Sequence, residues 1–343
     1  MGTILKIYGP GDVRFDEYEE RKLETCEIRI KTLFSGISAG TELTHYRGTN
    51  PYRHKKWNEQ NRIFNNVENP EYYPRGTGYE EVGEVSEIGS NVTKVKIGDV
   101  IYGAWTHKST HIMDENTASL KRVPEELEPI KGIFAQIGAI AYNSILDAQI
   151  NVGETVLISG QGTPGLICTQ LAHLAGAKVI AVDLHERRRE LAKKMGADIV
   201  INPVDNNVGE TVKDITHGMG ADVCIEASGT VEALRQSVKA CAYSSKVVAL
   251  GFYQNDASGL YLGEEFHHNR IGIVCSQIGG INPSLTYRWN IQRLYSTIME
   301  LQKAEKLKLK DLITHCAEFK DAPSLYKTID KHPTEVLQAV LKF

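Results

Sequence analysis

The stretch Thr155–Asp183, TVLISGQGTPGLICTQLAHLAGAKVIAVD, decides how the whole chain is read. An apolar, β-branched run (TVLIS) gives way to a turn with G-x-G-x-x-G spacing at Gly160, Gly162 and Gly165. A helix-type segment follows, then a second apolar run that ends on Asp183. Placed between a strand and a helix, this spacing marks a turn that cradles a dinucleotide pyrophosphate. The first glycine permits the tight turn, the second lets the phosphates approach the backbone, and the third lets the helix pack on the sheet. Thr163 and Pro164 fall in that turn, just before the helix LICTQLAHLAG, at whose N-terminus free N–H groups and the dipole favour an anion. An acid about 20 residues further on accepts hydrogen bonds from the ribose hydroxyls, and Asp183 occupies that place. Its charge repels a 2′-phosphate, so the expected cofactor is NAD(H) rather than NADP(H). Of the run Arg187–Arg189, read mainly as a solvated helix face, Arg188 joins the expected cofactor set, with Ser228 and Gly251.

Working outward, GADVCIEASG (220–229) and SKVVALGFY (245–253) add two β-type runs. Alternating β and α segments predict a doubly wound parallel sheet. The first part of the chain is different. EIRIKTLFSGISAG (27–40), GEVSEIG (83–89) and GDVIYGAW (98–105) read as short strands punctuated by glycine. The expected class is α/β, with a β domain over 1–145, a parallel-sheet domain over 146–285, and a last segment over 286–343. Between the early strands lies a polar, aromatic stretch, 44–74, too long for an ordinary connection. It holds Tyr46, Tyr52, Trp57, Tyr72 and Tyr73 beside Arg47, Arg53, His54, Lys55, Lys56 and Arg62. It is expected to act as a lid, aromatic faces stacking on a ring and polar groups bonding hydroxyls.

The formal net charge of −4 gives no strong field for nucleic acid or anionic lipid. No run of about 18 apolar residues is present, so no membrane span is expected. The opening MGTILKIYGPGDVRF lacks a basic region followed by an apolar one, so no secretory signal is expected. The six cysteines form no C-x-x-C pair and are read as reduced, mostly buried thiols of a cytoplasmic protein.

Five stretches together resemble the medium-chain dehydrogenase/reductase family: FSGISAGTE (34–42), GYEEVGEV (78–85), KVKIGDVIYG (94–103), SGQGTPG (159–165) and AVDLHERRRELAKKMGA (181–197). The resemblance covers nearly the whole chain and implies a GroES-like β domain joined to a Rossmann domain, with segment 286–343 returning to complete the first domain. Zinc-dependent members hold their catalytic metal with a cysteine, a histidine and a glutamate or cysteine. The matching positions here are Ser38, Tyr79 and Gln136, which are poor zinc ligands. No cysteine lies between Cys26 and Cys168, so the four-cysteine structural lobe is missing too. No zinc is expected. A displaced metal site from His45, His54, Glu42 and Glu80 stands as the alternative. LGEEFHHNRIGIVCSQIG (262–279), NPSLTYRW (282–289) and IDKHPTEVLQAVLKF (329–343) are similar to the guloside/glucoside 3-dehydrogenase branch, and SGISAGTE with GYE to the bacteriochlorophyllide dehydrogenase branch.

The resemblance implies exchange of a secondary alcohol and a ketone on a sugar, glycoside or cyclitol. Without a metal, side chains must polarise the oxygen and move the proton. Tyr79 is the first candidate, with a pKa depressed by Lys55, Lys56 or His45. Ser38 and Thr41 would relay the proton, and Glu42 or Glu80 would orient the site, beside Gln136. His267 and His268 form a second candidate pair, placed by the reading on a loop facing the cleft. A quinone or enone reductase and a protein that senses NAD(H) without turnover are the competing readings. The family commonly forms dimers or tetramers, and IGIVCSQIG (271–279) is the expected contact strand.

Overall fold

The computed structural model describes residues 1–68 and 72–343. Two compact units result, Ile137–Leu309 and Met1–Gln136 with Lys310–Phe343. Among the described residues no helix is long and apolar enough to cross a membrane.

The first unit is built on a six-stranded sheet, among the described residues in the order Ile199–Ile201, Lys178–Val182, Thr155–Ser159, Ala221–Glu226, Cys241–Ala249 and Gly272–Cys275. All its pairings are parallel. The order reverses at Thr155–Ser159, which puts the topological switch point at the carboxyl end of that strand. Helices Thr163–Leu174, Glu186–Lys194, Val208–Ile215 and Val231–Ala240 make the crossovers. Strands covered on both faces need unbroken apolar runs rather than alternation. Leu157, Ile180, Cys224 and Val247 accordingly lie fully buried across the sheet. Each such side chain contributes about 1.5–3 kcal/mol by leaving water.

In the other unit, Glu27–Ile37 pairs antiparallel with Glu80–Ile88, with Thr110–Asp114 and with the last strand, Gln338–Lys342. The last pairing is why the C-terminal segment belongs here. Ala339 lies opposite Ile37, and Val340 opposite Gly36. One core joins Leu5, Ile7, Leu43, Tyr326 and Leu341; another joins Ile28, Ile30, Val85, Ile101 and Trp105.

The unit boundaries fall after Gln136 and after Leu309, rather than near 145 and 285. Helix Phe134–Ala148 packs through Gly138 against Ile298 of helix Ile291–Lys303, closely enough that a Cβ at 138 would sit 2.7 Å from the isoleucine. That contact keeps most of both helices with the parallel sheet. The thiols also differ from expectation. Cys168, Cys224 and Cys241 are buried, but Cys26, Cys275 and Cys316 are exposed.

The stretch 44–74 is not a featureless loop. It continues a helix (Glu42–Arg47), makes a 3-10 turn (Pro51–His54), and folds a hairpin in which Lys55–Asn58 pairs with Ile63–Asn66. The ring of Phe64 stacks on Tyr52 at 4.9 Å and tilts against Trp57. Lys55 and Lys56 sit exposed on that hairpin. Residues 69–71 of the expected lid lie outside the described residues.

Candidate functional site

The G-x-G-x-x-G turn has the geometry its glycines imply. Gly160 adopts φ +89°, a left-handed conformation that side chains disfavour. A Cβ on Gly165 would lie 1.8 Å from the Gly160 carbonyl, so only glycine lets the helix start this close. Gly162 caps that helix, with Thr163 and Pro164 in its first turn. Asp183 follows strand Lys178–Val182 and is almost fully buried. One of its oxygens accepts from the Gln161 N–H at 2.7 Å and the other from the His185 N–H at 2.8 Å. Two carboxylate oxygens carry about four lone-pair sites, which leaves acceptor capacity for ribose hydroxyls. Arg189 bonds the Asp183 and Leu184 carbonyls at 2.8 Å, and Arg188 is half-buried on the same helix. Ser228 and Gly251 follow the neighbouring strands at the same, carboxyl end of the sheet. These groups fit a dinucleotide.

In the other unit, register brings two sequence motifs together. Gly36 pairs with Glu80, so Ser38 and Tyr79 leave adjacent strands side by side. The Tyr79 hydroxyl donates to Ser38 Oγ at 2.5 Å and lies 3.5 Å from Thr41 Oγ1. Gly78 precedes it at φ +108°, and a Cβ there would strike Glu81 Oε1 at 2.6 Å.

Burial pushes the Tyr79 pKa up, and the neighbouring Glu80 pushes it further; the bond to Ser38 only partly opposes them. The expected depression by a nearby cation is therefore reversed. Lys55 and Lys56 stand exposed on the hairpin. His45 bonds the Tyr72 hydroxyl through Nδ1 at 2.6 Å, and burial with the Arg75 charge lowers its pKa to about 4. His45 is thus neutral near pH 7.

Behind this pair lies a buried polar network that sequence reasoning found only in part. Glu42 Oε1 accepts the Ser38 N–H at 2.8 Å. Its Oε2 meets His107 Nε2 at 2.7 Å and accepts from the Tyr326 hydroxyl at 2.6 Å. His107 Nδ1 lies 2.6 Å from Ser35 Oγ, which donates to Glu81 Oε1 at 2.9 Å. Glu81 Oε2 accepts the Trp105 N–H at 2.7 Å. Burial alone would neutralise both members of the Glu42–His107 pair. Their mutual attraction wins, so Glu42 is held below the carboxylate range and His107 above the imidazole range. Glu81, with burial dominant, is pushed up to about 7. Glu80 is raised well above the carboxyl range by burial and by Glu42 and Glu81. Its Oε2 accepts from Gln338 Nε2 at 2.9 Å, and its buried Oε1 has no hydrogen-bond partner among the described residues.

His107, Glu81, Tyr326, Ser35 and Gln338 were missed. Consecutive glutamates normally point to opposite faces of a strand, so Glu80–Glu81 was a signal once both faces are covered. Tyr326 sits with Ala322, Leu325 and Ile329 at helical spacing, which reads as core.

Gln136 is half-buried near the start of helix Phe134–Ala148. His267 and His268 belong to the parallel-sheet unit, exposed, with their rings 5.7 Å apart. The next residue, Asn269, accepts from the Ser244 N–H at 2.7 Å near the start of strand Cys241–Ala249. That is the amino end of the sheet, whereas ligands of such sheets bind at the carboxyl ends. The two histidines therefore stand at the end opposite the phosphate turn. The displaced metal set does not converge either. Glu42 is committed to His107, Tyr326 and Ser38, His45 to Tyr72, and His54 is exposed. Among the described residues no three His, Cys, Asp or Glu side chains are grouped to hold a metal ion.

A doubly wound parallel sheet with a glycine-rich turn, and a β unit closed by the C-terminal strand, make up the two units of this chain. Comparison with known proteins places it more narrowly. The profile of the zinc-binding dehydrogenases matches residues 165–294. The chain is 31% identical over 338 residues to D-guloside 3-dehydrogenase of Escherichia coli (strain K12), covering 95% of this chain and 96% of that one. It is 30% identical over 364 residues to L-threonine 3-dehydrogenase of Pyrococcus horikoshii, covering 97% and 93%. An alcohol dehydrogenase of Escherichia coli CFT073, solved with NADH, has the same fold, with a TM-score of 0.79 at 20% identity over 100% of this chain and 99% of that one. The chain belongs to the zinc-binding, medium-chain dehydrogenase/reductase family and is an oxidoreductase.

Proposed function

We propose that the protein interconverts a secondary alcohol and a ketone on a sugar, glycoside or cyclitol, using NAD(H) and no zinc. The observation that carries this reading is the Tyr79–Ser38 hydroxyl pair, standing where relatives place two metal ligands. Similarity to a D-guloside 3-dehydrogenase supports a polyhydroxylated substrate. The carboxylate of Asp183 supports NAD(H) over NADP(H).

The donor set does not suit zinc. A phenol held protonated, an alcohol and an amide replace thiolate, imidazole and carboxylate. A bound nicotinamide supplies the hydride chemistry. The chain's own residues handle the oxygen and the proton. Tyr79, kept neutral, acts as a hydrogen-bond donor rather than as a phenolate base. Ser38 accepts from it and turns its own hydrogen to the substrate oxygen. As a carbonyl becomes an alkoxide, hydrogen bonds from this pair stabilise the developing charge and a proton from water completes the alcohol, so neither hydroxyl is left ionised; oxidation runs the same path backward, with the proton leaving to water. Glu42 fixes the Ser38 backbone, and Thr41 flanks the phenol. The edge strand Gly272–Cys275, exposed along its length, supports a homodimer or homotetramer paired edge to edge.

The test is coenzyme turnover against a panel of glycosides, ketosugars and polyols, with metal analysis of the same active sample. Turnover on a glycoside or ketosugar at trace zinc supports the reading. Stoichiometric zinc whose removal abolishes turnover, or activity confined to quinones with NADPH, overturns it.

A further inference from the structure

Three turns meet at the carboxyl ends of the central strands, layered backbone on backbone. A Cβ on Gly160 would lie 2.8 Å from the Ser228 N–H nitrogen. One on Gly251 would lie 2.2 Å from the Gly229 nitrogen, and one on Gly229 would lie 2.8 Å from the Phe252 carbonyl oxygen. At the centre of this stack is Glu226, the last residue of strand Ala221–Glu226 and fully buried. Its Oε1 accepts the Ser228 N–H at 2.7 Å and the Ser228 hydroxyl at 2.5 Å. Its Oε2 accepts the Gly229 N–H at 3.1 Å and the Tyr253 hydroxyl at 2.5 Å. Its backbone carbonyl accepts from the Leu250 and Gly251 N–H groups, both at 2.9 Å.

We propose that Glu226 is a positioning residue for the nicotinamide half of the coenzyme, tying the 228–229 turn to the 250–253 turn, with Tyr253 as its latch. The proposal rests on the coenzyme reading above. Four donors fill the about four lone-pair sites of a carboxylate, so Glu226 has no capacity left to act on a ligand itself. Its role runs through the turns it holds. A dinucleotide spans two mononucleotide halves of such a sheet, and strands Ala221–Glu226 to Gly272–Cys275 form the half away from Asp183. The adenosine half has separate ties, from Asp183 to Gln161 and His185. Loosening Glu226 should therefore disturb one half of the coenzyme and spare the other.

The experiment compares binding of NADH and of ADP-ribose, which lacks nicotinamide, to wild type, Tyr253→Phe and Glu226→Gln. The phenylalanine keeps the ring packed against the apolar cluster and removes only the hydroxyl. Charged hydrogen bonds of this kind convert to about tenfold in affinity. Tyr253→Phe is expected to weaken NADH about fivefold to tenfold and Glu226→Gln by at least as much, with ADP-ribose held within about twofold. Equal weakening of both ligands, or unchanged NADH affinity in Tyr253→Phe, overturns the proposal while leaving the coenzyme reading intact. Wild-type protein that binds neither ligand overturns both.

Discussion

The turn at Gly160–Gly165 is held almost entirely by backbone, whereas the surroundings of Tyr79 are held by side chains drawn from five distant places. In the turn, a carbonyl, a few N–H groups and the absence of Cβ atoms set the shape. Around Tyr79, Glu42, His107, Ser35, Glu81 and Tyr326 form a hydrogen-bonded network in which one residue's charge depends on the next, and Gln338 holds the neighbouring Glu80. A backbone site tolerates change in its neighbours but not in its glycines. A buried network is intolerant at its side chains as well, because losing one partner strands another's charge away from water.

Five substitutions sharpen that contrast. Tyr79→Phe carries the largest expected effect, a fall in kcat of about 10²–10⁴ with NADH binding unchanged. Steady-state rates that match wild type would reduce the tyrosine to a filler of space. Next come Glu42→Ala and His107→Ala, each expected to cost about 3–5 kcal/mol in urea unfolding by leaving a buried charge unpaired. The double variant should cost clearly less than the sum; simple additivity would break the network description.

Glu81 adds a pH signature. Its folded pKa of about 7 lies above the ordinary 4.5, so the folded state holds a proton that the unfolded chain releases. Stability from this group is full below the lower value, falls as pH rises toward the upper one, and is flat beyond it. The fall amounts to up to about 3 kcal/mol. Glu81→Gln should remove that component of the slope when unfolding is followed between about pH 5 and 8; an unaltered slope would place the titration elsewhere. The smallest effect belongs to the turn. Asp183→Ala should weaken NADH about tenfold to a hundredfold and narrow the preference over NADPH, as fluorescence titration of both coenzymes would show. An undiminished preference would shift specificity to another residue.

Much of the turn was legible because its chemistry is local: three glycines, a strand before, a helix after and an acid at the next strand end lie within 29 residues. The meeting of Ser38 with Tyr79 was legible through resemblance, since both stand where relatives carry ligands. What surrounds them was not. His107 lies 65 positions from Glu42, and Tyr326 lies 284 from it, with no pattern linking them. His45 read as a cation for Tyr79, but burial makes it neutral and turns it to Tyr72. His267 and His268 read as cleft residues because they follow a strand. The connection they occupy runs the full length of the sheet, and they sit near its far end.

By itself, then, the sequence determined whatever short-range sterics and periodicity control: the two classes of unit, the glycine-rich turn between strand and helix, and the acid that follows the next strand. Tertiary structure alone decided which groups carry charge. Ionisation of Tyr79, Glu80, Glu81 and His107 is set by desolvation and by partners brought together across the chain, and neither is written in any single stretch of residues.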